Sequence, residues 1–298
     1  MYNSIDSGKF FPLLRSLSPL TNGSSGLCQR IRDSKFHSLG APQRIWAVSA
    51  IHGDAQRLTW THDELWTRLQ PGDRVIYHGN YAGFGEAPRE TIDEILTFRR
   101  MFLARPGALT SDLVYLRGGQ EEMWQKLLQL QFTPDPANLL LWMLGNGLSS
   151  TLQAYGISAH DGIEACRYGV MGITKWTAKI REQLRKCPGH EIFNNQLMRA
   201  AHTNEHSAYP MLFVHAGIDQ SLPLDQQNDA FWWAGAQFET IHEAYAPFQK
   251  VVRGFDPEHK GLKMNCVTAT IDGGCGFGGA LVCAGFDARG NVLEILEN

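Results

Sequence analysis

The 298-residue sequence has no surplus of positive charge: 27 Lys and Arg stand against 30 Asp and Glu, a formal charge of -3. Without a global positive field, neither nucleic acid nor an anionic membrane is an expected partner. The six cysteines, at 28, 166, 187, 266, 275 and 283, include no Cys-x-x-Cys pair and no short-spaced Cys/His set. A zinc ribbon or finger is therefore excluded, and reduced thiols in the cytoplasm are the simplest expectation. No run approaches the roughly 18 to 20 apolar residues that a membrane helix needs. The short stretch Phe10-Phe11-Pro12-Leu13-Leu14 has no convincing cleavage site after it, so a soluble, non-exported protein is expected. What the chain does have is 43% hydrophobic residues, enough for one large core or two modest ones.

Residues 1–42 are rich in Ser, Gly and Asn and lack a sustained period, which predicts a loosely held N-terminal arm before a domain over 43–298. From Arg44 the pattern changes. Ile45-Trp46-Ala47-Val48 is a short apolar run that ends in Ser49-Ala50-Ile51-His52-Gly53 and a helix-like stretch. The unit recurs with Arg74-Val75-Ile76-Tyr77 and a helix from about residue 89 to 103, then with Leu113-Val114-Tyr115-Leu116 and a helix carrying Met123, Trp124, Leu127 and Leu128. Three strand-loop-helix units in succession predict an α/β sheet. Residues 134–207 read as mainly helical, with Ile173, Trp176, Ile180 and Leu184 at helical spacing, which suits a cap inserted over a site. Later apolar runs at 211–214, 251–254, 267–271, 280–283 and 292–296, joined by Gly-rich turns, predict a second, partly antiparallel sheet that closes the domain.

In open α/β sheets, ligands sit beyond the carboxyl ends of strands, so the loops after these runs carry the information. In order they are Ser49-Ala50-Ile51-His52-Gly53, Gly79-Asn80-Tyr81-Ala82-Gly83-Phe84-Gly85, Leu116-Arg117-Gly118-Gly119-Gln120-Glu121, Phe213-Val214-His215-Ala216-Gly217 and Val252-Arg253-Gly254-Phe255-Asp256-Pro257. The set resembles the calcineurin-like metallophosphoesterases, most of all their bacterial serine/threonine-phosphatase and diadenosine-tetraphosphatase branch. There the blocks read G-D-x-H-G, G-D-Y-x-D-R-G, R-G-N-H-E, H-A-G and G-H-T/D. The turn Ile271-Asp272-Gly273-Gly274-Cys275-Gly276-Phe277-Gly278-Gly279 resembles the family's last turn as well. The resemblance spans about residues 44–296 and implies a four-layer α/β/β/α sandwich with a helical cap.

It also implies a pair of divalent cations that activate a bridging water, yet most positions that would hold them are changed. The first-block aspartate is Ala50, the bridging aspartate is Asn80, the third-block asparagine is Gly119 and the last ligand histidine is Phe255. His52 and His215 persist. Gln120 stands where the family has its general acid, and Gly83-Phe84 replaces the phosphate-binding Asp-Arg pair. With both carboxylates gone, two dications would repel each other without compensation.

The resemblance leaves His52, Asn80 and His215 as residual metal donors, and the histidines could equally be plain hydrogen-bonded loop residues. No resident cofactor is expected; at most the set would take a single divalent cation, Mn, Zn or Ni. Arg117 and Arg253 are candidates to hold a phosphate, or else salt-bridge partners of Glu121, Asp256 or Asp272. Asp54 is the nearest carboxylate that could replace the one missing at Ala50. Cys275 could be a nucleophile with a histidine base, or simply packing. Phe231-Trp232-Trp233 could stack on a base or a partner, or be buried. The expected function is that of a catalytically impaired pseudophosphatase that binds a protein or a phosphorylated small ligand. The alternative is an active phosphoesterase with a reduced metal site.

Overall fold

The computed structural model describes residues 35–298; the expected arm lies outside the described residues over 1–34. Its end is ordered, because Phe36–Ser38 forms a strand (β1) that pairs in parallel with residues 200–202. The next three strands, Arg44–Val48 (β2), Arg74–Tyr77 (β3) and Leu113–Tyr115 (β4), run parallel. Each is followed by a helix: Ala55–Arg68 (α1), Pro88–Leu103 (α2) and Gly119–Leu127 (α3). Asp54 caps α1 by accepting the Arg57 N–H at 3.0 Å, and Pro88 opens α2 with a ring preset for helical φ.

Beyond the half-buried Arg44 and Arg74 that open β2 and β3, these strands are apolar because both of their faces are covered. Trp46, Val48, Val75 and Tyr77 pack against Leu58 and Leu65 of α1 and Ile92, Ile95 and Phe98 of α2. The alternate residues Ile45, Ala47, Ile76 and Val114 meet Met211, Phe213 and Val252 of a second sheet, as the two-residue period of a strand requires. That sheet contains Ala200–His202 (β5), Met211–Val214 (β6), Lys250–Arg253 (β7), Lys263–Met264 (β8) and Thr268–Thr270 (β9), in the order β1-β5-β6-β7-β9-β8. Its outer face is covered by Phe231, Trp232 and Phe238 from the short helical segments after residue 223 and by Ile241 and Phe248 from the loop that follows. The result is a four-layer α/β/β/α sandwich.

The closing hairpin corrects one expectation. Val282–Asp287 (β10) and Val292–Glu297 (β11) do not join the second sheet: β10 pairs antiparallel with β2, giving the first sheet the order β11-β10-β2-β3-β4. Val282, Ala284 and Phe286 reach the core between the sheets while Cys283 faces the helices. Local sequence encodes this two-faced pattern but not which sheet receives it.

The inserted helices are Pro136–Met143 (α4), Ser149–Ala154 (α5), Ala159–Arg167 (α6), Gly169–Arg185 (α7) and His190–Asn195 (α8). The first four share a core with α3 in which Met123, Leu127, Leu139, Leu152, Ile173 and Trp176 are buried, while Phe193 of α8 packs into the core beside the first sheet. The helical part ends at Asn195, short of the expected residue 207, because β5 follows. Among the described residues no helix is long and apolar enough to cross a membrane.

Candidate functional site

The loops after β2, β3, β4, β6 and β7 converge on His52. The Asn80 side-chain amide donates to its Nε2 at 3.2 Å, while Asn80 Oδ1 accepts the Gln120 backbone N–H at 2.9 Å. Both functions of Asn80 are thus spent inside the protein. His52 and Asn80 hold φ of 54° and 53°, a left-handed conformation uncommon outside glycine but one in which asparagine and histidine are enriched. The approach of these loops is close: a Cβ on Gly79 would lie 2.4 Å from the Gly118 nitrogen. Glu121 fixes the geometry from below. Its carboxylate accepts backbone N–H groups from Asn80 (2.8 Å), Tyr81 (2.9 Å) and Gly118 (2.9 Å). Burial pushes its pKa up, and the N–H bonds pull against that shift.

His215 Nδ1 donates to the His78 carbonyl at 2.6 Å, and His78 Nδ1 lies 2.9 Å from the Val48 carbonyl. Each of the three buried imidazoles keeps a ring nitrogen with no hydrogen-bond partner among the described residues: Nδ1 of His52 and Nε2 of His78 and His215. Burial pushes His78 and His215 down to about 4. His52 is held well below its usual range by burial and by neighbouring His215 and His259. All three are therefore neutral at pH 7.

Carbon surrounds them. The His52 ring centroid lies 5.0 Å from that of Phe277, 5.5 Å from Phe255 and 5.6 Å from Phe84. Phe255 stacks on His215 at 5.1 Å with the planes 6° apart. Phe277 in turn stacks on His259 at 4.0 Å, whose Nδ1 is 3.0 Å from Asp272 Oδ2. The cap closes the edge of this cluster: Gln120 Nε2 donates to the Asn146 carbonyl at 2.8 Å, and Ser150 hydrogen-bonds the Gly85 carbonyl.

This donor set does not fit a pair of dications. Ala50 and Phe255 offer no ligand atom, the Asn80 amide is occupied, and no group of three His, Cys, Asp or Glu is placed to hold a metal among the described residues. Hard dications require anionic oxygen, whereas the nearby Asp272 accepts the Asp256 and Gly274 backbone N–H groups besides facing His259.

The remaining candidates lie apart from the cluster or serve the fold. Arg253, expected to hold phosphate, is fully buried. It donates to Gly235 O (2.7 Å) and Thr270 Oγ1 (2.9 Å), pairs with Asp256 (3.2 Å) and lies over the Phe238 ring. Arg117 turns to Glu122 (3.3 Å) and Gln125 (2.8 Å) along α3, and its backbone N–H bonds the Met198 carbonyl. Asp54 is held by Arg57 at 3.1 Å. The Cys275 thiol points to the Ile51 carbonyl, and burial pushes it up to about 12, so it is no thiolate near neutral pH. Gln120 has no acid function. Phe231 and Trp232 are buried, and Trp232 Nε1 donates to the Arg117 carbonyl at 2.9 Å. Sequence reasoning missed His78, His259 and the ring of Phe277. Phenylalanine at both 84 and 255, where the family has polar residues, was the signal that further rings would gather there.

The sandwich and the position of its loops define the fold of calcineurin-like phosphoesterases. One solved structure bears out the fold. A variant of a cold-active protein tyrosine phosphatase shares 14% identity at a TM-score of 0.50, over 93% of this chain and 86% of its own. A protein assigned as a diadenosine tetraphosphatase shares 17% over 88% and 98% (TM-score 0.48). A serine/threonine phosphatase from Saccharomyces cerevisiae shares 10% over 89% and 82% (TM-score 0.48). No family model and no curated protein matches the sequence.

Proposed function

We propose that this phosphoesterase-fold protein is a cytoplasmic pseudophosphatase, acting by binding a protein or a phosphorylated ligand rather than by two-metal hydrolysis. The observation that carries this reading is the packing of Phe84, Phe255 and Phe277 around His52, with Phe255 flat against His215. Apolar rings against neutral imidazoles stabilise a closed cluster and supply neither negative charge for cations nor a cationic fork for phosphate. The lost function is thus one of composition as well as of geometry.

The test is hydrolysis of p-nitrophenyl phosphate, a phosphopeptide and a dinucleoside polyphosphate with added manganese. No turnover above that of the His52→Ala/His215→Ala variant is expected. Manganese-dependent turnover that vanishes in the variant would establish the alternative, a phosphoesterase with a reduced metal site.

A further inference from the structure

A cleft of about 700 Å³ opens where edge strand β4 of the first sheet meets β1 and β5 of the second. It shares no lining residue with the His52 cluster. Lys35, His37, Arg99, Arg117 and Arg199 line it, together with Tyr115. Four of these six are permanent cations drawn from four different segments: the residue before β1, α2, the loop after β4 and the chain entering β5. Among the described residues Lys35, Arg99 and Arg199 have no carboxylate ion-pair partner, and Arg117 shares Glu122 with Lys126 at 3.3 and 3.5 Å. Arg199 lies over the Trp232 ring, 5.6 Å from its centroid, which leaves the edge of its guanidinium for a ligand. Tyr115 is only 8% exposed, and its hydroxyl has no hydrogen-bond partner among the described residues.

We propose that this cleft binds a small ligand through a phosphate group, with Arg99, Arg199 and Lys35 as its cationic contacts. Assembling like charges in a half-buried cleft is unfavourable unless an anion offsets their repulsion. The cost is visible in Lys35, pushed down by burial and then by Arg199 and Arg117, and in Arg199, pushed down by burial first with Arg117 adding to it. Guanidinium forks match phosphate oxygens in pairs, and the cleft volume is that of ordinary small-molecule sites. An overall charge of -3 disfavours a long nucleic-acid strand in the same place. This site stands independently of whether the His52 cluster hydrolyses anything.

The probe is pyrophosphate, titrated calorimetrically into the full chain at low ionic strength, with AMP and glucose 6-phosphate as parallel arms. One-to-one binding is expected, at least tenfold weaker in Arg99→Gln/Arg199→Gln and unchanged in Lys179→Gln. Stronger binding of AMP would assign a nucleotide, and of glucose 6-phosphate a sugar phosphate; either supports the site. Lys35 is exposed, so Lys35→Gln keeps the test open if the double variant does not fold: weaker binding supports the site and unchanged binding counts against it. Pyrophosphate should also slow acetylation of Lys35 but not of Lys179. The proposal is overturned if the wild type gives no binding heat, if the double variant binds like the wild type, if Lys35 is not protected, or if a single-stranded oligonucleotide displaces pyrophosphate.

Discussion

The Phe255 ring lies parallel to the imidazole of His215, 5.1 Å between centroids, at the position where the resembling family carries its last ligand histidine. The phenyl ring offers no donor atom there, only a surface that packs. His215 is locked by its 2.6 Å hydrogen bond to the His78 carbonyl, which fixes its ring against that of Phe255.

If only the donors have diverged, restoring them should restore affinity for manganese. The combination Ala50→Asp, Asn80→Asp and Phe255→His returns two carboxylates and an imidazole. Gly119 is left alone because a Cβ there would press on the Trp233 ring at 3.2 Å. Without cation the variant should be less stable than the wild type, since the new carboxylates are buried. With manganese at a hundred times its Kd it should recover about 2.7 kcal/mol, read as a rise in Tm absent from the wild type. An unchanged Tm would mean that the loop backbone has moved too.

Glu121 should matter more for stability than any residue of the ring cluster. Glu121→Gln keeps the shape but turns a two-oxygen acceptor into one oxygen and one donor, opposing an N–H of Asn80, Gly118 or Tyr81. Even in its better orientation the Tyr81 N–H loses its acceptor and the new amide N–H faces it without one, at a cost of about 2 to 4 kcal/mol, measurable by urea unfolding. A loss within experimental error would show that the three bonds do not hold the loops.

Arg253 should likewise behave as a core residue. Arg253→Met leaves the Asp256 carboxylate buried without its cation and should cost about 3 to 5 kcal/mol, while pyrophosphate binding by the folded fraction stays as in the wild type. Loss of that binding at unchanged stability would return Arg253 to the role of anion contact.

The legible part of this protein is what a short segment encodes by itself. Ile45–Val48 and Arg74–Tyr77 are apolar at every buried position because helices cover one face and a second sheet the other, so strand, loop and helix could be read in order. The loops that carry His52, Asn80, His215 and Phe255 could be read as neighbours from their places after the strands. The rest depends on distant partners. Nothing near Val282 specifies β2 as its neighbour, nothing near Phe36 specifies β5, and the Arg117 backbone bonds Met198, far along the chain. Phe277 and His259 come from separate turns and meet only when the sheets close.

The buried imidazoles make the fold sensitive to mild acid. His78 and His215 have ordinary values near 6.5 when unfolded and about 4 in the fold. Between those limits the unfolded chain binds protons that the native state refuses, so stability rises with pH and is lost as pH falls from about 6.5 toward 4. Each histidine contributes up to about 3 kcal/mol over that interval. Carboxylates also titrate at its lower end, so the slope is assigned with His215→Asn, which retains a donor for the His78 carbonyl and cannot take a proton. Urea unfolding from pH 7.5 to 4 should show the slope reduced by up to about 1.4 kcal/mol per pH unit in the variant. Identical slopes would mean that His215 is solvated or protonated in the native protein, and the closed ring cluster would then be the wrong description of this site.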